Sequence, residues 1–191
     1  VSMLAYSTQD LILEPYAGLV FGYTLGQSTA LAGVQHGGVL IGMVLVGVAG
    51  TVLRGDRRMW MKRMTILGCA MSAMALGALA FAGQSGAGWP LQPTVFALGF
   101  ANGVFAVSAI ALMMSLAGEG EASRPGLKMG VWGAAQALAF GFGGFTGAAS
   151  LDLMRRLVDE TPDAFAIVFM GEAILFLSAA ALMVRLGQGR S

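Results

Sequence analysis

Asp10 and Glu14 are carboxylates four residues apart inside an apolar stretch, with Gln9 before them and Pro15 after. On a helix that spacing puts both acids on one face. Two adjacent carboxylates in a low dielectric cannot both ionise cheaply, so either a cation sits between them or at least one carries a proton. Pro15 leaves the Leu11 carbonyl without its helical partner, which predicts a kink or local opening beside the acids. His36, the one histidine, falls in Val34-Gln35-His36-Gly37-Gly38. Three roles are open to it: metal or pigment ligand, proton relay, or hydrogen-bonding bridge between helices. Asn102, Gln136 and Glu172 are likewise isolated among apolar neighbours. Asn102 and Gln136 suit interhelical hydrogen bonds. Glu172 is open to either reading, whereas two acids are an expensive way to join helices and point to function.

Other chemistries lack material. There is no G-x-x-x-x-G-K-[ST] phosphate loop. With one His and one Cys (Cys69), zinc sites and histidine-dependent nucleophile triads have almost no residues to draw on, and no intrachain disulfide can form. The chain is not expected to be an enzyme. A net charge of +1 argues against a nucleic-acid partner.

The elements that position these residues follow from composition. Of 191 residues 57% are hydrophobic and 11% charged, and mean hydropathy is +0.75. A soluble domain carries about 25% charged residues, so this chain cannot dress a water-facing shell. An all-α membrane protein is expected, a single bundle over 1–191 with no soluble domain. Six apolar stretches reach the roughly 20 helical residues that span a bilayer: near 1–23, 29–53, 64–82, 91–117, 128–150 and 164–186. Thr161-Pro162-Asp163 reads as a cap followed by proline at the first helical position. The chain opens apolar at Val1 with no charged leader, which predicts no signal peptide and a start partway through a longer protein.

Glycine is abundant, at 29 residues. The pairs Gly33/Gly37, Gly38/Gly42, Gly99/Gly103 and Gly143/Gly147 have the spacing of close helix contact. Gly141-Phe142-Gly143-Gly144-Phe145 suits tight packing, or a flat apolar ligand lying on glycine backbone.

Arg54, Arg57, Arg58, Lys62 and Arg63 mark a basic loop at 54–63 as cytoplasmic. Both chain ends then lie inside with Arg124, Lys128, Arg185 and Arg190, leaving Arg155 and Arg156 outside. At 1.5 Å rise per residue, Gln9, Asp10, Glu14, His36, Asn102, Gln136 and Glu172 all fall within roughly 7 Å of the midplane, as one polar layer.

The run Ala5-Tyr6-Ser7-Thr8-Gln9-Asp10-Leu11-Ile12-Leu13-Glu14-Pro15, followed by Gly33-Val34-Gln35-His36-Gly37-Gly38, resembles the second half of PucC/LhaA-type proteins. Gly99-Phe100-Ala101-Asn102-Gly103 and Gly130-Val131-Trp132-Gly133-Ala134-Ala135-Gln136 are similar to later segments of that family. The resemblance covers essentially the whole chain, and the acidic Q-D-L-I-L-E-P stretch carries most of it. It implies helices seven to twelve of a major-facilitator fold. The superfamily's loop signature is met only loosely, by Gly50 and Asp56-Arg57-Arg58.

The resemblance further implies a factor that assembles bacterial light-harvesting complexes by binding or delivering bacteriochlorophyll. The implied setting is the bacterial inner, or intracytoplasmic, membrane, and the implied partners are antenna polypeptides or the reaction-centre complex. A chlorin carries a Mg²⁺ that accepts one axial ligand. His36 is the first candidate, with Gln9, Asn102 and Gln136 behind it, while Asp10, Glu14 and Glu172 form an intramembrane acidic set. Two alternatives stand beside this reading: half of a proton-coupled secondary transporter, and a structural subunit packed in a photosynthetic membrane complex.

Overall fold

A computed structural model describes residues 2–52, 56–117 and 125–188. Six helices account for nearly all of them: α1 (Ser2–Phe21), α2 (Leu25–Val52), α3 (Arg57–Ser85), α4 (Leu91–Ala117), α5 (Pro125–Leu157) and α6 (Thr161–Gln188). Gly86–Gly88 forms a 3-10 turn between α3 and α4. Arg54, Gly55, Arg124 and Arg190 lie outside the described residues.

The protein is all-α among its described residues, and five helices are long and apolar enough to cross a membrane. The exception is α1. It has 20 residues, but Ser7, Thr8, Gln9, Asp10 and Glu14 dilute its apolar character. Pro15 lies inside it without ending it. The expected local opening beside the acids is therefore absent, and α1 continues to Phe21.

The basic loop expected at 54–63 is a helix from Arg57 onward. Asp56 caps it, accepting from the backbone N–H of Arg58 at 3.0 Å and of Met59 at 3.2 Å. That satisfies two of the free donors at the helix start. Arg57, Arg58, Lys62 and Arg63 sit on the first two turns of α3, where long stems can lie along apolar surface while the charges reach water.

Packing pairs α2 with α4, α1 with α5, and α3 with both α4 and α6. Glycines set the closest approaches. A Cβ on Gly99 would lie 2.0 Å from the Gln35 carbonyl oxygen, and one on Gly103 would lie 2.1 Å from that of Val39. From the other side, Gly38 and Gly42 meet the α4 backbone at Phe96 and Phe100. Gly143 and Gly147 do the same for α5 against Leu4, Ser7 and Thr8 of α1. Gly33 and Gly37 depart from expectation: among the described residues nothing lies within 4 Å of a Cβ built there, so they make no close helix contact within this bundle. They occupy a different face of α2 from Gly38 and Gly42, because adjacent residues are about 100° apart around a helix.

The aromatic core joins three helices. Tyr16 packs edge-on against Phe169 and tilted against Phe165, and Phe105 meets Phe176 edge-on. The Tyr16 hydroxyl donates to the Leu79 carbonyl of α3 at 2.6 Å.

Candidate functional site

The polar layer divides into two sets. The interior set is Gln9, Ser72, Asn102 and Glu172, with 1%, 0%, 0% and 2% of their surface exposed. Contacts above and below them fix their common level. On α1 and α3, Tyr16 meets Leu79, and seven residues back on each helix stand Gln9 and Ser72. On α3 and α4, the Ser72 hydroxyl donates to Asn102 Oδ1 at 2.9 Å. On α6, Pro162 adjoins Gly83, while Phe105 touches both Phe176 and the Gly68 position. Antiparallel running between those registers brings Glu172 level with Ser72. Four helices therefore each place a buried polar side chain at one level, with Ser72 and Asn102 bonded to each other.

Five atoms of that set lack a hydrogen-bond partner: both amide atoms of Gln9, Asn102 Nδ2 and both carboxyl oxygens of Glu172. Each buried unpaired polar group costs about 1–3 kcal/mol.

The second set faces outward. Asp10, Glu14 and His36 are exposed, next to side chains or turns that are buried. Asp10 is held by the buried Gln35, whose Nε2 donates to Asp10 Oδ1 at 3.1 Å, tying α2 to α1. His36 Nδ1 lies 2.7 Å from the Ala32 carbonyl oxygen of its own helix. A carbonyl oxygen only accepts, so Nδ1 carries the proton and Nε2 is left with the lone pair. Beside the ring, Gly33 and Gly37 leave open space, and Leu40 and Val44 continue the exposed apolar face.

Gln136 belongs to neither set. Half-buried on α5, it points Nε2 at Met3 Sδ of α1 at 3.9 Å, a weak contact in the α1–α5 seam. The remaining polar groups of that seam bond backbone: Ser7 Oγ donates to the Phe140 carbonyl at 2.8 Å and Thr8 Oγ1 to that of Gly143 at 3.0 Å. The Gly141–Phe145 motif is likewise split. Gly143 and Gly144 pack on α1, while Gly141 is open and Phe142 and Phe145 are exposed.

The single polar layer expected from depth is thus two sites. Gln9 and Asn102, expected as secondary pigment ligands, are enclosed between helices, whereas His36 is exposed. Gln35 and Ser72 were not singled out from the sequence, yet they hold Asp10 and Asn102. The signal for Gln35 was its place beside His36, a polar residue one step round the helix from the exposed one.

The chain matches the family model described as PUCC protein over residues 1–190. It belongs to the PUCC family. Among curated relatives, it is 52% identical over 181 residues to the bacteriochlorophyll synthase 44.5 kDa chain of Rhodobacter capsulatus, covering 94% of this chain and 41% of that protein. Protein PucC of Cereibacter sphaeroides is 32% identical over 84% of this chain, and that of Rhodobacter capsulatus 31% identical over 95%. The chain spans 41%, 32% and 39% of these relatives' own lengths. No solved structure matches it.

Proposed function

We propose that this PUCC-family chain is part of a membrane factor that binds or delivers bacteriochlorophyll during assembly of light-harvesting complexes. The observation carrying the reading is His36: its Nδ1 is committed to the Ala32 carbonyl, leaving Nε2 as a ligand atom at an exposed position flanked by open glycines. When bound, a chlorin supplies a Mg²⁺ that takes one axial ligand. The Nδ1 bond fixes both the tautomer and the ring orientation, the usual role of the second nitrogen in a ligating histidine. Gly33 and Gly37 leave room beside the imidazole, and Leu40 and Val44 offer apolar surface to a flat ring. Asp10 and Glu14 are suited to polar substituents at its edge. The donor set fits the group.

The relatives' names support this reading, since one speaks of bacteriochlorophyll. That name includes a synthase; the role proposed here is non-catalytic, with antenna polypeptides or a reaction-centre complex as recipients. The bundle is the second half of a major-facilitator body in the bacterial inner membrane. Arg57, Arg58, Lys62 and Arg63 at the start of α3 and Arg185 in the last turn of α6 support an orientation with those ends toward the cytoplasm.

The test is antenna absorbance in cells carrying His36→Ala. The expected result is normal membrane levels of the protein with a severalfold loss of assembled antenna. Unchanged antenna would overturn the role of His36. A second reading, a proton-coupled carrier, is favoured by the exposed acids of α1. It requires pH-gradient-driven flux that Glu14→Gln abolishes.

A further inference from the structure

The first two turns of α3 carry Arg57, Arg58, Lys62 and Arg63, which the pigment reading does not use. Helix length sets their depth. α3 has 29 residues, about 43 Å at 1.5 Å per residue, whereas the hydrocarbon core is about 30 Å thick. The stretch 64–83 is long enough by itself to cross that core. Its hydroxyls are paired within the bundle: Thr65 Oγ1 donates to the Met61 carbonyl at 2.9 Å, and Ser72 Oγ to Asn102 Oδ1 at 2.9 Å. The residues from Arg57 to Arg63 therefore extend beyond the core into the headgroup layer, which is roughly 5–8 Å deep on each side. Trp60 belongs at that level, where indole rings collect.

Packing turns the charge outward. A Cβ on Gly50 of α2 would lie 2.9 Å from Met61 Cε and 3.3 Å from the Trp60 ring, so those two side chains lie against α2. Arg57, Arg58 and Arg63 are exposed, and Lys62 is half-buried. Leu67, also exposed, stands one turn deeper than Arg63 on the same face.

This arrangement is unfavourable without an anion. A helix N-terminus is itself partly positive, and like charges four residues apart, as at Arg58 and Lys62, repel. Asp56 is committed elsewhere: its Oδ1 accepts from the backbone N–H groups of Arg58 and Met59. The cap occupies those backbone donors, so the side chains are what remains to bind.

We propose that the start of α3 is a binding site for the phosphate groups of anionic phospholipids, held by Lys62 and Arg63 with Arg57 beside them. The guanidinium of Arg63 matches two phosphate oxygens and Lys62 adds a point charge. Leu67 lies where the acyl chain of the same molecule begins. A phospholipid supplies both features at this depth, negative charge in the headgroup layer and an apolar chain one turn below. Each basic residue near an anionic surface strengthens attachment about fivefold. The inference is independent of the pigment reading.

Trp60 serves as the reporter in full-length chain carrying Trp89→Phe and Trp132→Phe, reconstituted in phosphatidylcholine bilayers. Phosphatidylglycerol with a nitroxide high on its acyl chain is compared with phosphatidylcholine labelled in the same place. The expected result is severalfold stronger quenching of Trp60 by the anionic lipid. Lys62→Gln with Arg63→Gln is expected to lower that preference at least about fivefold, whereas Lys62→Arg with Arg63→Lys keeps it. Equal quenching by the two lipids overturns the proposal, as does a preference unchanged by the glutamine pair. An equal preference at Trp89, kept as the sole tryptophan at the other end of α3, would show general accumulation of anionic lipid and contradict a site. Loss of the preference in inorganic phosphate, but not in chloride of the same ionic strength, would assign the site to a soluble anion instead. If the glutamine pair does not accumulate, Lys62→Gln and Arg63→Gln are used singly, and a preference unmoved by both contradicts the assignment.

Discussion

Gln35 and Asp10 face each other across α2 and α1, the amide donating to the carboxylate at 3.1 Å. Gln35 is buried and Asp10 is exposed, so the bond links the inside of the bundle to its open face. It also fixes the rotation of α2 that turns the next residue, His36, outward.

Removing the acceptor strands the Gln35 amide. Asp10→Ala is expected to cost about 1–3 kcal/mol, the range for a buried donor left unpaired. Asp10→Asn keeps an oxygen in place and is expected to cost less than about 1 kcal/mol. Thermal or denaturant unfolding in detergent, followed by tryptophan fluorescence, separates the two. Equal losses would show that the hydrogen bond does not join the helices.

Glycine substitutions are expected to divide by face. Gly99→Ala and Gly103→Ala drive a methyl group into the α2 backbone, with an expected loss of at least about 1–3 kcal/mol and of membrane-inserted protein. Gly33→Ala and Gly37→Ala meet open space; their stability is expected to hold while pigment handling falls. Fluorescence-detected size exclusion alongside antenna absorbance reads both effects.

How much of this was legible beforehand depends on the direction being read. Distance along a helix is legible: apolar run length located the helices, and counting residues placed Gln9, Glu172 and Asn102 near one level. Rotation about the helix is not. In lipid the outward face is as apolar as the inward one, so the periodicity that marks a soluble helix's buried side fades. Gln9 and Asp10 are sequence neighbours, yet one is enclosed and the other exposed; Gln35 and His36 divide the same way. The start of α3 was missed for another reason. Four basic residues obscured the helix, although Asp56 followed by a helical run is a capping signal.

Tyr16 tests the α1–α3 register used to place the interior set. Tyr16→Phe keeps the ring contacts with Phe165 and Phe169 and removes the hydroxyl that bonds the Leu79 carbonyl. The expected loss is about 0.5–1.5 kcal/mol, measured by the same unfolding assay. A loss of several kcal/mol would mean the hydroxyl does more than pair two helices.

Asp56 is expected to behave as a helix cap. Asp56→Ala should cost about 0.5–2 kcal/mol and Asp56→Ser much less, because serine also accepts from the first turn. Equal effects would place the role of Asp56 outside the cap.

The central claim is that His36 offers Nε2 to a chlorin. Its most direct test is the absorption spectrum of protein gently purified from cells making bacteriochlorophyll, compared with His36→Ala. The expected result is a chlorin band that copurifies with the unsubstituted protein and is lost from the variant, while both elute as folded protein. A band of equal strength in His36→Ala, or a colourless preparation of the unsubstituted protein, contradicts the account.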